Sequence, residues 1–214
     1  KVNISQLITK ALNKYDKIIF DCDGVIFDTN QSKVSIFIDS VSEFPTKSKR
    51  LFKDFLKRNF GRSREYIFQY FLNEIENESL NNLPVLLNRY SKMCIKMYKE
   101  KSFTDGFEEL INKTMQTPKI ILSGNNQKEL EEVFKEKNYF DYFDKILGSP
   151  INKETHLRQL KFNNREKIIF LGDSSYDLKV AEMFNIDFLF VSKYSIEPDK
   201  SIFKNKISTL ADIL

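Results

Sequence analysis

The sequence predicts an α/β fold with a mainly parallel sheet and an inserted helical unit, and two observations lead to this prediction. First, five short apolar runs, branched or aromatic in character, each end near Asp, Ser or Gly, and helical patterns separate the later runs. Strands that alternate with helices form βαβ units, whose ligands bind beyond the carboxyl ends of the strands. Second, the stretch from Gln31 to about Lys101 has helical periodicity throughout and no convincing strand.

The five runs are short enough to be buried strands, and the patterns between the later ones have the period of amphipathic helices. The predicted strands are 17–20 (KIIF), 119–122 (KIIL), 145–147 (KIL), 167–170 (KIIF) and 187–191 (DFLFV). The helices predicted between them are 126–137, 153–160 and 175–184.

Apolar residues between the first two strands recur every three or four positions, as they do on the buried faces of packed helices. The stripes are Val34, Phe37, Ile38 and Val41; Leu51, Phe52, Phe55 and Leu56; Ile67, Tyr70, Phe71 and Ile75; and Leu87, Tyr90, Cys94 and Met97 on a helix that starts at Pro84. The N-terminal residues Ile4, Leu7, Ile8 and Leu12 also fall at helical spacing. We therefore expect a helical bundle over 31–101, inserted into a core made of 1–30 and 102–214.

Composition excludes several classes of protein. The 214 residues suffice for one core domain and a small accessory unit. The 34 basic and 30 acidic residues are finely interleaved, so the basic stripe that nucleic-acid binding needs is absent. Cys22 and Cys94 lie far apart and have neither a disulfide pattern nor zinc-ligand spacing. No apolar run approaches the length of about 18 residues that a membrane span needs. We expect a cytoplasmic protein, either a monomer or a weak dimer.

Polar residues follow the ends of the predicted strands. Asp21 and Asp23 come directly after the first strand, and Ser123, Gly124 and Asn125 follow the second. Residues two apart on an extended chain point the same way, so both carboxylates can approach one ligand. Two carboxylates this close repel each other when both are ionised, which calls for a cation or a shared proton.

The later strands add a cation and two more carboxylates at the same edge. Lys153 begins the helix after the third strand, and Asp173 and Asp177 follow the fourth. Oxygen ligands beside a lysine and a serine are what a phosphoryl group with Mg²⁺ requires. A carboxylate can also be the nucleophile in such a site. These residues predict a phosphoryl-transfer enzyme that acts on a small phosphate ester.

Taken in order, these positions resemble the four motifs of the haloacid dehalogenase-like (HAD) superfamily, on its phosphatase side. Asp21-Cys22-Asp23-Gly24-Val25 resembles the first motif, Ser123 the second, Lys153 the third and Gly172-Asp173-Ser174-Ser175-Tyr176-Asp177 the fourth. The helical insert resembles the cap of the phosphoglycolate phosphatase and β-phosphoglucomutase branch. The resemblance covers nearly the whole chain and implies the HAD fold, a Rossmann-like parallel-sheet core with an inserted α-helical cap.

The resemblance also implies a role for each matching residue. Asp21 would attack phosphorus and become an aspartyl phosphate, and Asp23 would be the general acid and base. Ser123 would hold phosphoryl oxygens and Lys153 would stabilise charge on Asp21 and the phosphoryl group. Mg²⁺ would bind Asp21, the main-chain carbonyl of Asp23 and Asp173.

Other residues are expected to contact substrate or to support these groups. Gly124 and Asn125 are assigned to substrate binding, and Asp177 to anchoring Lys153 or a metal-bound water. In the insert, 59–65 resembles the substrate-specificity loop of β-phosphoglucomutase, so Arg64, and with it Arg62, would clamp an anionic group. The alternative is that both arginines are solvated beside a helix N-cap at Ser63. Similar capped phosphatases often act on sugar, polyol or small-acid phosphates, including those of surface-carbohydrate synthesis.

Rival interpretations share parts of this pattern. A sugar phosphomutase of the β-phosphoglucomutase type would also use Asp21 and Asp23, but such sequences carry Glu-Asp at the fourth motif, where this chain has Gly172-Asp173. A serine esterase using Ser174 would need a histidine partner, and the sole histidine, His156, is expected on a solvent-facing helix. A non-catalytic binding protein on the same fold is the third alternative, although every catalytic position holds a competent residue.

Overall fold

The sheet is entirely parallel in the computed structural model, which describes residues 12, 14–59, 61–163 and 165–214. The helical spacing at 4–12 falls, apart from Leu12, outside the described residues. The strands are β1 (Lys17–Phe20), β2 (Lys119–Asn126), β3 (Lys145–Ser149), β4 (Ile168–Gly172), β5 (Asp187–Val191) and β6 (Lys206–Ile207). Their order, β3-β2-β1-β4-β5-β6, places β1 inside the sheet between β2 and β4. The predicted α/β fold class is confirmed, and the short β6 is an addition to it.

The α-helices of the described residues fall into two groups, four in the stretch from Asn30 to Glu100 and four in the core. The first group, here called the insert, is α1 (Asn30–Ser40), α2 (Thr46–Asn59), α3 (Arg64–Tyr70), continued by a π-helical turn (Phe71–Ile75), and α4 (Leu83–Glu100). The core helices are α5 (Phe107–Lys113), α6 (Gln127–Glu136), α7 (Lys153–Leu160) and α8 (Ser175–Met183). Leu51, which the apolar stripes placed inward, is exposed. No helix in the described part of the chain is both long and apolar enough to cross a membrane.

Both faces of the sheet are buried. Ile18 and Phe20 of β1 belong to a large apolar cluster that extends into the insert, whereas Ile19 packs with Leu122 and Phe170 in a smaller cluster under the other face. This coverage explains why the strands appear in the sequence as continuous apolar runs without alternation. It also leaves the carboxyl ends of the strands as the place where polar side chains can converge.

The interior of the insert is aromatic. Phe37, Phe52, Phe68, Phe71 and Tyr90 are buried and pack against one another, with ring centroids between 4.2 and 6.1 Å apart. Large aromatic side chains bury much apolar area each, so these residues fill the interior of the insert, which is continuous with the large apolar cluster of the core.

Two chain segments connect the insert to the core, and they run side by side. Phe27 in the first segment and Phe103 in the second form an antiparallel bridge, and their rings stack 5.1 Å apart. The backbone N–H of Thr104 donates to the carbonyl of Ile26 at 2.9 Å. The insert therefore leaves and rejoins the core at one place, next to the end of β1.

Capping residues bring the helix starts to the same edge as the strand ends. Asn126, Asn152 and Ser174 cap α6, α7 and α8, each accepting a hydrogen bond from a backbone N–H of the first turn. Each cap lies a few residues after a strand, or directly at its end. The loops that carry the polar residues are thus held between a strand end and a helix start.

Candidate active site

A buried lysine joins two of the carboxylates at the centre of the sheet edge. The Lys153 ammonium at the start of α7 donates to Asp21 Oδ1 and to Asp177 Oδ1, both at 2.6 Å. Lys153 is only 1% exposed. A charge buried this completely is costly unless it is paired. Ser174 completes the arrangement, because its hydroxyl donates to Asp177 Oδ2 at 2.6 Å.

Three carboxylates converge here. Asp21, Asp173 and Asp177 each offer an oxygen, and these oxygens lie within 4.8 Å of one another. Burial raises the pKa of Asp21 and the Lys153 ammonium lowers it, while the negative charges of Asp177 and Asp23 raise it again, to about 7. Burial, with the charges of Asp21 and Asp177, also raises the pKa of Asp173 well above its ordinary range. The negative charge at this point exceeds what Lys153 alone can neutralise.

The space beside Asp173 is bounded by an asparagine and a glycine. Asn30 Nδ2 donates to Asp173 Oδ2 at 2.5 Å and to the carbonyl of Tyr194 at 2.8 Å. Asn30 Oδ1 is buried and has no hydrogen-bond partner among the described residues. A Cβ on Gly24 would lie 2.2 Å from Asp173 Oδ2, so only glycine fits there. Clustered hard oxygen donors with an unused acceptor nearby fit a hydrated divalent cation such as Mg²⁺.

The second carboxylate after β1, Asp23, is enclosed by donors. Thr29 Oγ1 donates to Asp23 Oδ1 at 2.5 Å, and the Tyr98 hydroxyl donates to the same oxygen. Lys33 Nζ donates to Asp23 Oδ2 at 2.7 Å, and Asn125 Nδ2 donates to it at 2.8 Å. Burial alone would raise the pKa of Asp23, but the Lys33 ammonium and these hydrogen bonds outweigh it and hold the pKa below its ordinary value.

A cleft of about 430 Å³ opens between the insert and the core, and Ser123 and Lys153 lie on its core side. On the insert side, the Arg62 guanidinium lies over the ring of Tyr66 at 4.5 Å and over the ring of Tyr176 at 4.8 Å. This cleft gives a ligand access to the edge where the strands end.

The insert rests directly on the carboxyl-terminal part of β2. A Cβ on Gly124 would lie 2.7 Å from the carbonyl oxygens of both Gly61 and Arg62. The structure therefore places the insert against the core, over the polar strand ends.

The match to a known family covers all of these strand ends. A family model described as haloacid dehalogenase-like hydrolase matches residues 18–191. The chain belongs to the haloacid dehalogenase-like hydrolases. The predicted family and the predicted enzyme class, a hydrolase, are thereby confirmed. No curated protein sequence matches this hydrolase significantly.

Several solved structures share the fold of this haloacid dehalogenase-like hydrolase. A protein described as a predicted phosphoglycolate phosphatase from Haemophilus somnus is 14% identical, with a TM-score of 0.72 over 94% of this chain and 96% of that chain. A predicted phosphatase from Clostridium acetobutylicum is 19% identical, with a TM-score of 0.71 over 93% and 96%. CbbY from Rhodobacter sphaeroides, in complex with phosphate, is 13% identical, with a TM-score of 0.71 over 92% and 95%. At these sequence identities, the similarities establish a shared fold alone.

Two residues assigned to the substrate of this hydrolase have other partners. The Arg64 guanidinium is buried and donates two hydrogen bonds to Glu129, from Nη1 to Oε1 at 2.8 Å and from Nη2 to Oε2 at 2.6 Å. The expectation that Arg64 clamps the substrate is therefore corrected, because its side chain joins the insert to the core. The Asn125 side chain is engaged by Asp23, Lys33 and Tyr98. Asn125 is not among the residues that line the cleft, and its expected role in substrate binding stays a prediction. Arg62 and Gly124 do line the cleft.

The alternative serine nucleophile finds no histidine. Ser174 Oγ donates to Asp177 and accepts from the Asp177 backbone N–H, which makes it a helix cap. His156 is buried rather than facing solvent, and its Nε2 lies 2.9 Å from the carbonyl of Gly148. Cys22 is fully buried beside β1.

Sequence reasoning assigned no role to four residues of the site: Lys33, Tyr98, Asn30 and Thr29. Lys33 precedes Phe37 by one helical turn, so a charged residue stands on the inward stripe of α1. Tyr98 continues the stripe of Tyr90 and Cys94 on α4. Both positions could have been assigned to the interior, but periodicity does not show which core residue a polar group on that stripe meets.

Proposed function

We propose that this hydrolase is a Mg²⁺-dependent phosphomonoesterase that forms an aspartyl phosphate on Asp21 and acts on a small phosphorylated metabolite. The observation that carries the proposal is the contact of Lys153, which lines the cleft, with both Asp21 and Asp177. Asp173 lies beside them. A nucleophilic carboxylate held by a buried ammonium is suited to attack on a charged phosphoryl group.

In the first half of the reaction, a carboxylate oxygen of Asp21 bonds to phosphorus as the ester P–O bond breaks. The electron pair of that bond goes to the leaving oxygen, which takes a proton from Asp23 and departs as an alcohol. Ser123 holds phosphoryl oxygens, and the Lys153 ammonium offsets their charge. Protonation of the leaving group matters most for alkyl esters, because an alkoxide is a poor leaving group.

In the second half, water attacks the aspartyl phosphate and gives a proton to the Asp23 carboxylate. The bond between phosphorus and Asp21 breaks, and its electron pair restores the Asp21 carboxylate. The products are an alcohol and inorganic phosphate, with one water consumed. The donors around Asp23 favour its carboxylate form, which is the form that this half-reaction needs; the first half-reaction needs the protonated form and works against that preference.

Asp21, Asp173 and the main-chain carbonyl of Asp23 are the proposed ligands of Mg²⁺. When bound, the cation would neutralise phosphoryl charge and the mutual repulsion of the buried carboxylates. Asp177 is not proposed as a ligand, because its carboxylate pairs with the Lys153 ammonium at 2.6 Å.

The cleft supports a small polar substrate. It has Ser123 and Lys153 on one side and Arg62 on the other, so a phosphate ester with a hydroxylated or anionic remainder fits its chemistry. Sugar, polyol and small-acid phosphates are the proposed classes. CbbY was solved with phosphate, and a variant of it with xylulose-(1,5)-bisphosphate, which is compatible with this choice.

The test is hydrolysis of a panel of such phosphates and of p-nitrophenyl phosphate, with and without Mg²⁺. We expect phosphate release that EDTA abolishes, Mg²⁺ restores and Ca²⁺ inhibits, since Ca²⁺ prefers longer bonds and more ligands. Asp21→Asn should nearly abolish turnover while circular dichroism shows an unchanged fold. Full activity without metal, or more than a few per cent of activity in Asp21→Asn, would contradict the proposal. Isomerisation of a sugar phosphate without release of phosphate would indicate a phosphomutase.

A further inference from the structure

The Asp23 carboxylate accepts four hydrogen bonds, two on each oxygen. Oδ1 accepts from Thr29 and Tyr98, and Oδ2 accepts from Lys33 and Asn125. A carboxylate has about four lone-pair positions, so these donors fix the plane of the group, and one of them must yield its position when the leaving oxygen or the water approaches.

The donors also hold one another. Lys33 Nζ donates to Asn125 Oδ1 at 2.6 Å, and Asn125 Nδ2 donates to the Tyr98 hydroxyl oxygen at 2.7 Å. Because Tyr98 accepts from Asn125, its own proton is directed to Asp23. The result is a closed network in which displacement of one member removes support from the others.

Two members of this network come from the insert. Lys33 lies in the first turn of α1 and Tyr98 in the last turn of α4, at the two ends of the insert. Both are buried, Lys33 at 8% exposure and Tyr98 at 2%. The Tyr98 ring also packs edge-on against Phe27, in the first connecting segment, at 5.4 Å. Lysine is rarely buried without a charge partner, and Asp23 supplies one.

We infer that Lys33 and Tyr98 are positioning residues of the acid–base step, which fix Asp23 from the insert while Thr29 and Asn125 fix it from the core side. The inference rests on the proposed function. It gives the insert a part in the chemical step in addition to its contact with the leaving group.

Position matters because proton transfer requires the two heavy atoms to be within hydrogen-bond reach in the reacting complex. With p-nitrophenyl phosphate the leaving phenolate needs no proton, so Asp23 acts only when water hydrolyses the aspartyl phosphate. A misplaced Asp23 should therefore slow the second half-reaction and spare the first with this substrate.

The experiment compares Lys33→Met and Tyr98→Phe with Asp23→Asn and the parent enzyme in rapid-mixing assays with p-nitrophenyl phosphate. We expect kcat/KM, which reports formation of the aspartyl phosphate, to stay close to that of the parent. The rate constant for hydrolysis of the phosphoenzyme should fall about ten-fold or more, the effect of losing one hydrogen bond to a charged group. A burst of p-nitrophenolate should appear, as it should in Asp23→Asn. Adding Lys33→Met or Tyr98→Phe to Asp23→Asn should not slow phosphoenzyme hydrolysis any further.

Tyr90→Phe and Lys96→Met are the matched controls. Tyr90 is a buried tyrosine of the same helix that donates none of the hydrogen bonds to Asp23, and Lys96 is an exposed lysine of that helix. Both should behave as the parent. Equal losses in kcat/KM and in the rate of phosphoenzyme hydrolysis would show a general structural role for Lys33 and Tyr98 and overturn the inference. Variants in which neither quantity changes would overturn it as well. If Lys33→Met does not fold, Tyr98→Phe decides alone. A parent enzyme that hydrolyses no phosphate ester would instead contradict the proposed function.

Discussion

Among single residues, Gly24 shows how closely two loops of the site approach each other. Its φ is +80°, which a residue with a side chain adopts only at a cost. A Cβ there would lie 2.2 Å from Asp173 Oδ2 and 2.3 Å from Asn30 Nδ2. Any larger residue must therefore move the proposed metal ligand Asp173, the asparagine that orients it, or both.

We expect Gly24→Ala to lose activity out of proportion to its loss of stability, because the added methyl group displaces Asp173. Gly106→Ala provides the comparison, since Gly106 has φ +85° and a Cβ there would lie 2.2 Å from the backbone nitrogen of Ala211, outside the site. Both variants should unfold at lower urea concentration. Only Gly24→Ala should need more Mg²⁺ for half-maximal turnover; an unchanged Mg²⁺ requirement would argue against Asp173 as a ligand.

Residue types at strand ends were predictable from the sequence, whereas their partners were not. Asp21, Lys153 and Asp173 follow strands that meet at one edge of a parallel sheet, so topology alone brings them together. Asn125 lies near the end of β2, which extends beyond the predicted 119–122, but its side chain meets Asp23 because Lys33 and Tyr98 approach from the insert. How two helices pack over a sheet edge depends on shape across some hundred residues, which local patterns do not encode.

Among the elements, α3 of the insert and α6 of the core are joined by a buried ion pair. Arg64 and Glu129 form two parallel hydrogen bonds, and the Ser91 hydroxyl of α4 donates to Glu129 as well. The Arg64 guanidinium also lies 4.8 Å from the ring of Tyr90. A bidentate pair of this kind fixes orientation as well as distance. It therefore ties the insert to the core at a point remote in sequence from the two connecting segments.

We expect Arg64→Met to lower the free energy of unfolding by about 3 kcal/mol or more, because Glu129 is left buried without its partner. Substrate preference across the phosphate panel should stay the same. The exposed pair Arg89–Glu43 is the control, and Arg89→Met should cost less than about 1 kcal/mol. Urea unfolding of the single variants and of the double variant Arg64→Met/Glu129→Met measures the coupling free energy between Arg64 and Glu129. A change in substrate preference without loss of stability would restore the role first expected for Arg64.

At the scale of the whole molecule, the converging carboxylates oppose folding in the absence of metal. The pKa of Asp21 is raised to about 7 and that of Asp173 well above its ordinary range, chiefly by burial. Between the ordinary pKa and the raised one, the folded chain binds more protons than the unfolded chain. The stability of the metal-free protein then falls as pH rises through this window. The lowered pKa of Asp23 and the raised pKa of Lys153 change the pH dependence of stability only at pH values outside this window.

We therefore expect the melting temperature in EDTA to be lower near pH 8 than near pH 5, and Mg²⁺ to raise it more at the higher pH. Asp173→Asn should melt higher than the parent in EDTA near pH 8 and should respond less to Mg²⁺, since one repelling charge and one ligand are removed. Calorimetry at the two pH values measures both effects. Equal stabilisation by Mg²⁺ at both pH values, or a metal-free protein that melts higher near pH 8, would contradict this account.

The position of β1 has a consequence for synthesis on the ribosome. The strand lies inside the sheet, yet its neighbours are made much later: Ile18 pairs with Lys119 of β2, and Lys17 with Ile168 of β4. At translation rates of about 5–20 residues per second, β1 waits roughly 5–20 seconds for its first partner. The insert, rich in local helical contacts, emerges during this interval and can fold first. The apolar KIIF segment that leads to the proposed nucleophile thus lacks its strand partners during this interval and is open to aggregation.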